Sequence, residues 1–308
     1  KDIAVKADAM NWILMIVAVN FLSEGEKITR KGFPITEENY SKLKKMSESP
    51  VYMDYRAFAD SILYLMLLGA LFFFLLGNVS LGRHAEFKEL FLHALSFLIV
   101  YAVTTFGSKT LQFSSPFSLP VIIPAALCSF LIAILFGQRS ALFFAILASF
   151  GVLNACSYQL APFLFTLASS LAAARIVRKI VRRIDMVFAS LLLSVLDVVF
   201  LATLKIIFND SFSDSVLTIP GIAVNGFLSG ILTLGFLTPL ESVLNTASVF
   251  RLMDLSDLNN PLMKKMLVTA GGTYSHSMMV ASLAEAACRE IGANPLVARV
   301  GSYYHDIG

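Results

Sequence analysis

Of 308 residues, 57% are apolar and only 15% are charged, and the mean hydropathy of +0.75 lies far above that of a water-soluble chain. This excludes an ordinary soluble domain and indicates an integral membrane protein, for which the placement of charge says more than the net +3. The three cysteines, Cys128, Cys156 and Cys288, are scattered, which excludes a disulfide or Cys-x-x-Cys framework.

Residues 1–56 are polar and mixed in charge. The apolar run Ile13–Val19 is too short to cross a bilayer but suits a buried strand. Ser23-Glu24-Gly25-Glu26 reads as a turn, and Thr36-Glu37-Glu38 opens an amphipathic helix through Met46 with Thr36 as N-cap. The segment is expected to be the end of a small extracellular α+β domain. Because the chain starts mid-pattern at Lys1-Asp2 and stops at Gly308 inside a motif, it reads as an excised piece of a longer protein.

Between residues 57 and 240, seven apolar segments are expected to be long enough to span a bilayer: Ala57–Gly77, Leu90–Phe106, Leu119–Phe136, Ala141–Cys156, Gln159–Ile176, Ile184–Phe208 and Val216–Leu240. The fourth and fifth nearly merge, joined by a short Asn154–Tyr158 turn. The expected fold is an all-α membrane protein with a seven-helix transmembrane bundle. Arg175, Arg178, Lys179, Arg182 and Arg183 fill the fifth-to-sixth connection and Arg139 the third-to-fourth, whereas the sixth-to-seventh carries Asp210 and Asp214. The positive-inside rule then puts residues 1–56 outside and everything after Leu240 in the cytoplasm, which requires an odd number of spans.

Several polar residues lie within this region. Asp197 falls midway along the sixth segment, where a carboxylate costs about 2.5–3.5 kcal/mol on insertion scales. It reads either as a functional intramembrane residue or as a packing residue bonded to Asn225 or a Ser/Thr. Lys205 is expected to snorkel at the outer end, and His84 and His93 to be interfacial. Gly226 and Gly230 form a small-xxx-small motif suited to close packing within the bundle. The basic run 175–183 reads as a topology signal in contact with anionic lipid, and is too short for a nucleic-acid polymer.

After Glu241 the pattern becomes that of a water-exposed helical domain, residues 241–308. Asn260-Pro261 and Asn294-Pro295 each pair an N-cap with proline at the first helical position. Between them, Thr273 or Ser275 opens a helix that Gly292 closes. On it His276, Val280, Leu283 and Ala287 share one face, so His276 is expected to point inward with an apolar stripe. The third helix delivers His305 and Asp306 at its end. Imidazoles and a carboxylate on rigid elements suit divalent metals, and a carboxylate can bridge two ions that activate a shared water against a phosphoester.

These residues carry a resemblance. The His305-Asp306 pair resembles that of the HD superfamily of metal-dependent phosphohydrolases. More narrowly, Leu255 to Pro261, Gly272-Thr273-Tyr274-Ser275-His276-Ser277, Ile291 to Pro295 and Ala298 to Gly308 resemble the seven-transmembrane HD family, the PgpH-type membrane phosphodiesterases that hydrolyse cyclic di-AMP. Gly25 to Ile28 and Gly32 to Leu43 look like the end of that family's extracellular domain. The resemblance implies His276 and His305 as metal ligands, Asp306 as catalytic bridging ligand, and two divalent ions, manganese or iron. It also implies a bacterial cell membrane, a cyclic dinucleotide substrate, an unidentified extracellular ligand, and leaves a homo-oligomer open. Where relatives often carry a further histidine, this chain has Ser275. As it stands, the fragment is expected to be inactive. The alternative is a non-catalytic seven-span receptor with a degenerate HD-like tail.

Overall fold

The computed structural model describes residues 36, 37, 39, 40, 55–76, 86–110, 117–210, 212 and 215–307. The chain divides into two units, Lys1–Ala59 and Asp60–Gly308. Most of the first, with the expected strand Ile13–Val19 and the turn at Ser23, lies outside the described residues, as do His84 and Asp214. Thr36 does act as an N-cap, its Oγ1 accepting from the Asn39 amide at 3.4 Å.

The described residues from Tyr55 onward contain helices and no strand. In chain order they form α1 (Tyr55–Leu76), α2 (Phe87–Thr110), α3 (Ala125–Phe136), α4 (Gln138–Ala155), α5 (Leu160–Ile176), α6 (Arg183–Ile207) and α7 (Ser215–Leu244). Four shorter helices follow: α8 (Val249–Leu255), α9 (Pro261–Thr269), α10 (Gly271–Glu290) and α11 (Pro295–Tyr304). Within α2, α4, α6 and α7 the stretches Phe87–Lys109, Gln138–Ala155, Arg183–Ile207 and Val216–Leu244 are long and apolar enough to cross a membrane. Phe58–Phe74, Ala125–Phe136 and Leu160–Ile176 are shorter apolar helical stretches.

The third expected segment is not one continuous helix. Leu119–Val121 is a short 3-10 turn, and α3 begins only after Pro124. Pro120 and Pro124 lack amide donors and interrupt the ladder. Asn225 of α7 repairs the break: its Nδ2 donates to the carbonyls of Pro120 at 3.0 Å and Ile123 at 3.2 Å. Backbone freed inside a bundle must find such partners. Asn225 is thereby occupied, and it is not the partner of Asp197. The turn expected near Asn154–Tyr158 is present, with Ser157 and Tyr158 at positive φ and the Tyr158 amide on the Leu153 carbonyl at 2.8 Å.

α6 and α7 meet along a seam of small residues. A Cβ at Gly226 would lie 2.8 Å from the Ser194 Cα, and one at Gly230 would lie 2.3 Å from the Ser190 Cβ. Backbones so close admit only glycine here, and the motif packs helices within the bundle. Asp197 sits on this seam, 3% exposed, its Oδ2 3.1 Å from where a Gly226 Cβ would stand. The Ser169 hydroxyl of α5 bonds the carboxyl, and Oδ1 has no hydrogen-bond partner.

Two expectations for this region are corrected. Lys205 does not snorkel into solvent: it is 1% exposed, paired with Asp210 at 2.9 Å and packed over Phe117 and Phe212. His93 is not interfacial but buried between Phe72 and Phe144. Its Nδ1 lies 2.7 Å from the Glu89 carbonyl, and its Nε2 lies 3.1 Å from the Ser140 hydroxyl. In both cases aromatic walls and a local partner hold the polar tip inside.

Candidate metal centre

The chain leaves the bundle through a tight joint. The buried Glu241 accepts the Ser248 amide at 3.0 Å, and Ser248 caps α8 by accepting from Arg251 at 3.3 Å. Phe250, 4% exposed, packs among Leu131 of α3 and Leu237 of α7. Arg183 at the start of α6 pairs with Asp254 at 2.6 Å, although both side chains are largely exposed and the pair contributes little by itself. Sequence reasoning missed α8 altogether; its signal was Ser248 standing before an apolar-periodic run.

The next helices begin as the sequence implies. Asn260 accepts from Leu262 at 3.0 Å to start α9, and Asn294 accepts from Leu296 at 3.0 Å and Val297 at 3.3 Å to start α11. α10 ends in a Schellman turn. Gly292 takes φ +70, the Gly292 amide reaches the Arg289 carbonyl, and the Ala293 amide reaches the Cys288 carbonyl. The helix begins earlier than Thr273, at Gly271, so His276 falls in its second turn. Glycines cost little there, since first-turn amides have no intrahelical partners to lose.

A bidentate ion pair fastens α10 to α11. Arg299 Nε donates to Glu285 Oε2 at 2.6 Å and its Nη2 to Oε1, while Arg289 adds a bond from the same helix at 2.5 Å. The Arg299 guanidinium, supported by Arg289, holds the Glu285 carboxyl below the usual carboxylate range. A lowered folded value means that the stabilisation is complete above the ordinary glutamate value of about 4.3 and is lost as pH falls through the folded one. Thermal unfolding followed against pH should therefore show an acid limb that Glu285→Gln flattens; an unchanged limb would remove Glu285 from the account.

At the other end of the same helix pair the two histidines meet. The His276 and His305 ring centroids lie 5.6 Å apart with planes inclined at 53°. Both residues are exposed, as is Asp306 in the turn after α11. His305 Nδ1 lies 2.8 Å from the Ser302 carbonyl. A carbonyl can only accept, so Nδ1 is the donor to it and Nε2 is the ring nitrogen left to face a ligand, the arrangement in which ligating imidazoles are held. This donor set fits a divalent ion. Among the described residues no group of three His, Cys, Asp or Glu is arranged to hold one, so the structure joins the two histidines and leaves Asp306 outside a three-ligand set.

The expected inward stripe is not the buried one. Ser277 and Ala281 are buried in α10, whereas His276 and Ala287 are exposed and Leu283 is 68% exposed. Small side chains at Ser277 and Ala281 allow the close approach of the neighbouring helices, and the larger residues are turned away.

The membrane region and the helical tail match one known combination. The family described as 7TM receptor with intracellular HD hydrolase matches residues 56–248, more than half of the chain. The chain belongs to this family. The HD domain matches residues 273–308, the stretch that carries His276, His305 and Asp306. The cyclic-di-AMP phosphodiesterase PgpH of Listeria monocytogenes serotype 1/2a (strain 10403S) is 28% identical over 302 residues, 95% of this chain and 41% of the relative. The PgpH of Bacillus subtilis (strain 168) is 33% identical over 198 residues, 61% of this chain and 27% of the relative. An uncharacterized protein of Synechocystis sp. is 37% identical over 93 residues, 29% of this chain and 12% of the relative. The chain thus spans less than half the length of each of these relatives. No solved structure matches it.

Proposed function

We propose that this chain belongs to a membrane-anchored, metal-dependent phosphodiesterase that opens a cyclic dinucleotide, cyclic di-AMP, to the linear pApA. The observation that carries this reading is the facing His276–His305 pair, with Asp306 next in the chain, at the tail of an apolar helical region. Similarity along nearly the whole chain to a protein named cyclic-di-AMP phosphodiesterase supports it.

His276, His305 and Asp306 would hold two divalent ions, manganese or iron, with Asp306 shared between them. Such ions supply Lewis acidity toward phosphoryl oxygens and activate water. The chain's own residues fix the donors. The Ser302 carbonyl sets the tautomer of His305, and the Glu285–Arg299 clamp holds α10 against α11. The Schellman turn at Gly292 sets the angle at which α11 returns.

In this reading α1–α7 are seven spans of a bacterial cell membrane. Residues 1–56 form the end of an outer α+β domain, 57–240 the membrane region, and 241–308 the start of the cytoplasmic HD domain. The basic residues Arg175, Arg178, Arg182 and Arg183 favour the inner side for the α5–α6 connection. The outer domain and bundle would sense an external ligand, and Asp197 would serve as a polar contact between α5, α6 and α7 inside the membrane. Impermeant thiol labelling of single cysteines placed in the α5–α6 and α6–α7 connections tests the orientation: labelling of the former from outside the cell would reverse it.

The decisive assay is turnover of cyclic di-AMP by the intact protein in detergent with Mn²⁺, followed by chromatography. Formation of the linear dinucleotide is the expected result. Metal binding without turnover would overturn the substrate, and failure to bind metal would favour the non-catalytic receptor.

A further inference from the structure

We propose that Tyr304 is a positioning residue for the metal centre, tying the last turn of α11 to helix α8 and through it to the membrane bundle. This rests on reading His276, His305 and Asp306 as metal ligands.

Tyr304 immediately precedes His305 and is half-buried, and its hydroxyl donates to the Leu255 carbonyl at 2.8 Å. Leu255 ends α8. The last carbonyls of a helix have no intrahelical acceptor role, and here the Ser256 amide bonds the carbonyls of Leu252 and Met253. The Leu255 carbonyl is thus open to a donor from elsewhere, and Tyr304 brings one from forty-nine residues further along the chain.

α8 is itself fixed. Phe250 lies in the apolar cluster with Leu131 and Leu237, Ser248 is held by Glu241, and Asp254 pairs with Arg183 at the start of α6. A continuous series of packed and hydrogen-bonded groups therefore runs from α3, α6 and α7 through α8 to Tyr304, one residue from His305. The rest of α11 is set independently by the Asn294 cap and by Arg299 on Glu285. Those contacts fix its start and middle; the Tyr304 bond fixes the end where His305 and Asp306 follow. A helix end without such a tie frays, and ligands carried on it would be displaced from His276.

The alternative is that Tyr304 only fills space, in which case phenylalanine would do as well. The test is Tyr304→Phe in the intact protein, with three readouts: Mn²⁺ affinity by calorimetric titration, kcat against KM for cyclic di-AMP, and thermal unfolding. Loss of an outer partner of a metal site lowers metal affinity or activity roughly 10–100-fold. The expected result is a loss of about tenfold or more in Mn²⁺ affinity and kcat, KM unchanged. Phe250→Ala should act in the same direction and Phe250→Leu should restore most of the loss. The double variant Tyr304→Phe/Phe250→Ala should fall little below either single one, because both act on one linkage.

Wild-type Mn²⁺ affinity and kcat in folded Tyr304→Phe would overturn the proposal. Multiplying losses in the double variant would also overturn it. Should Tyr304→Phe not fold, a folded Phe250→Ala with wild-type Mn²⁺ affinity decides against the linkage. Wild-type protein that binds no Mn²⁺ would remove the metal reading itself, a failure distinct from the other three.

Discussion

Asp306→Ala in the intact protein is expected to abolish the proposed cyclic di-AMP turnover while the membrane region still folds. The carboxylate is the one member of the proposed ligand set able to bridge two ions, and its loss would leave only histidines to hold them. The reduction should exceed the roughly 10–100-fold that follows removal of an outer partner of a metal site. Asp306 is exposed, so the thermal midpoint should barely move; substitutions at such positions stay within about 0.5 kcal/mol. Chromatographic assay of both proteins beside unfolding curves separates the cases. Turnover by Asp306→Ala near the wild-type rate would refute the proposed role, and loss of turnover with collapse of the fold would make it structural.

Gly226→Ala is expected to destabilise the bundle by about 1–3 kcal/mol, the usual cost of forcing a methyl group into a close-packed site. The added carbon would stand 2.8 Å from the Ser194 Cα and 3.0 Å from its nitrogen, both backbone atoms that cannot swing aside. It would also press on Asp197 Oδ2 at 3.1 Å. Gly69→Ala in α1 is the control, since a Cβ there meets nothing within 4 Å. That variant should hold or gain stability, because alanine favours a helix over glycine by up to about 1 kcal/mol. Equal midpoints for the two variants in detergent would mean that the α6–α7 seam yields more readily than its backbone contacts imply.

Much of the helical layout was legible in the sequence because its signals are local. Runs of apolar residues located the helices of residues 57–240, and Asn260-Pro261, Asn294-Pro295 and Gly292 marked helix ends that the structure forms through the expected side chains. The features that the sequence does not reveal depend on neighbours distant in sequence. The helix position of Lys205 points to snorkelling at the outer end, yet Phe117 and Asp210 enclose it. Apolarity points to the His276–Leu283 face of α10, but Ser277 and Ala281 are the residues small enough to be buried against the other helices. In the site, His276 and His305 were readable as a pair. Arg299 on Glu285 and Tyr304 on Leu255 were not, because each contact is created by the return of α11 onto earlier helices.

α7 runs for 30 residues without interruption, despite Pro220 and Pro239 within it. At 1.5 Å per residue such a helix is about 45 Å long, against a hydrocarbon thickness of about 30 Å. Some 15 Å of it must therefore be taken up by tilt or stand clear of the lipid tails. Where the excess stands clear at the C-terminal end, the helix would act as its own stand-off for the helices that follow, and shortening it by one turn would draw the joint at Glu241 about 5.4 Å toward the bilayer.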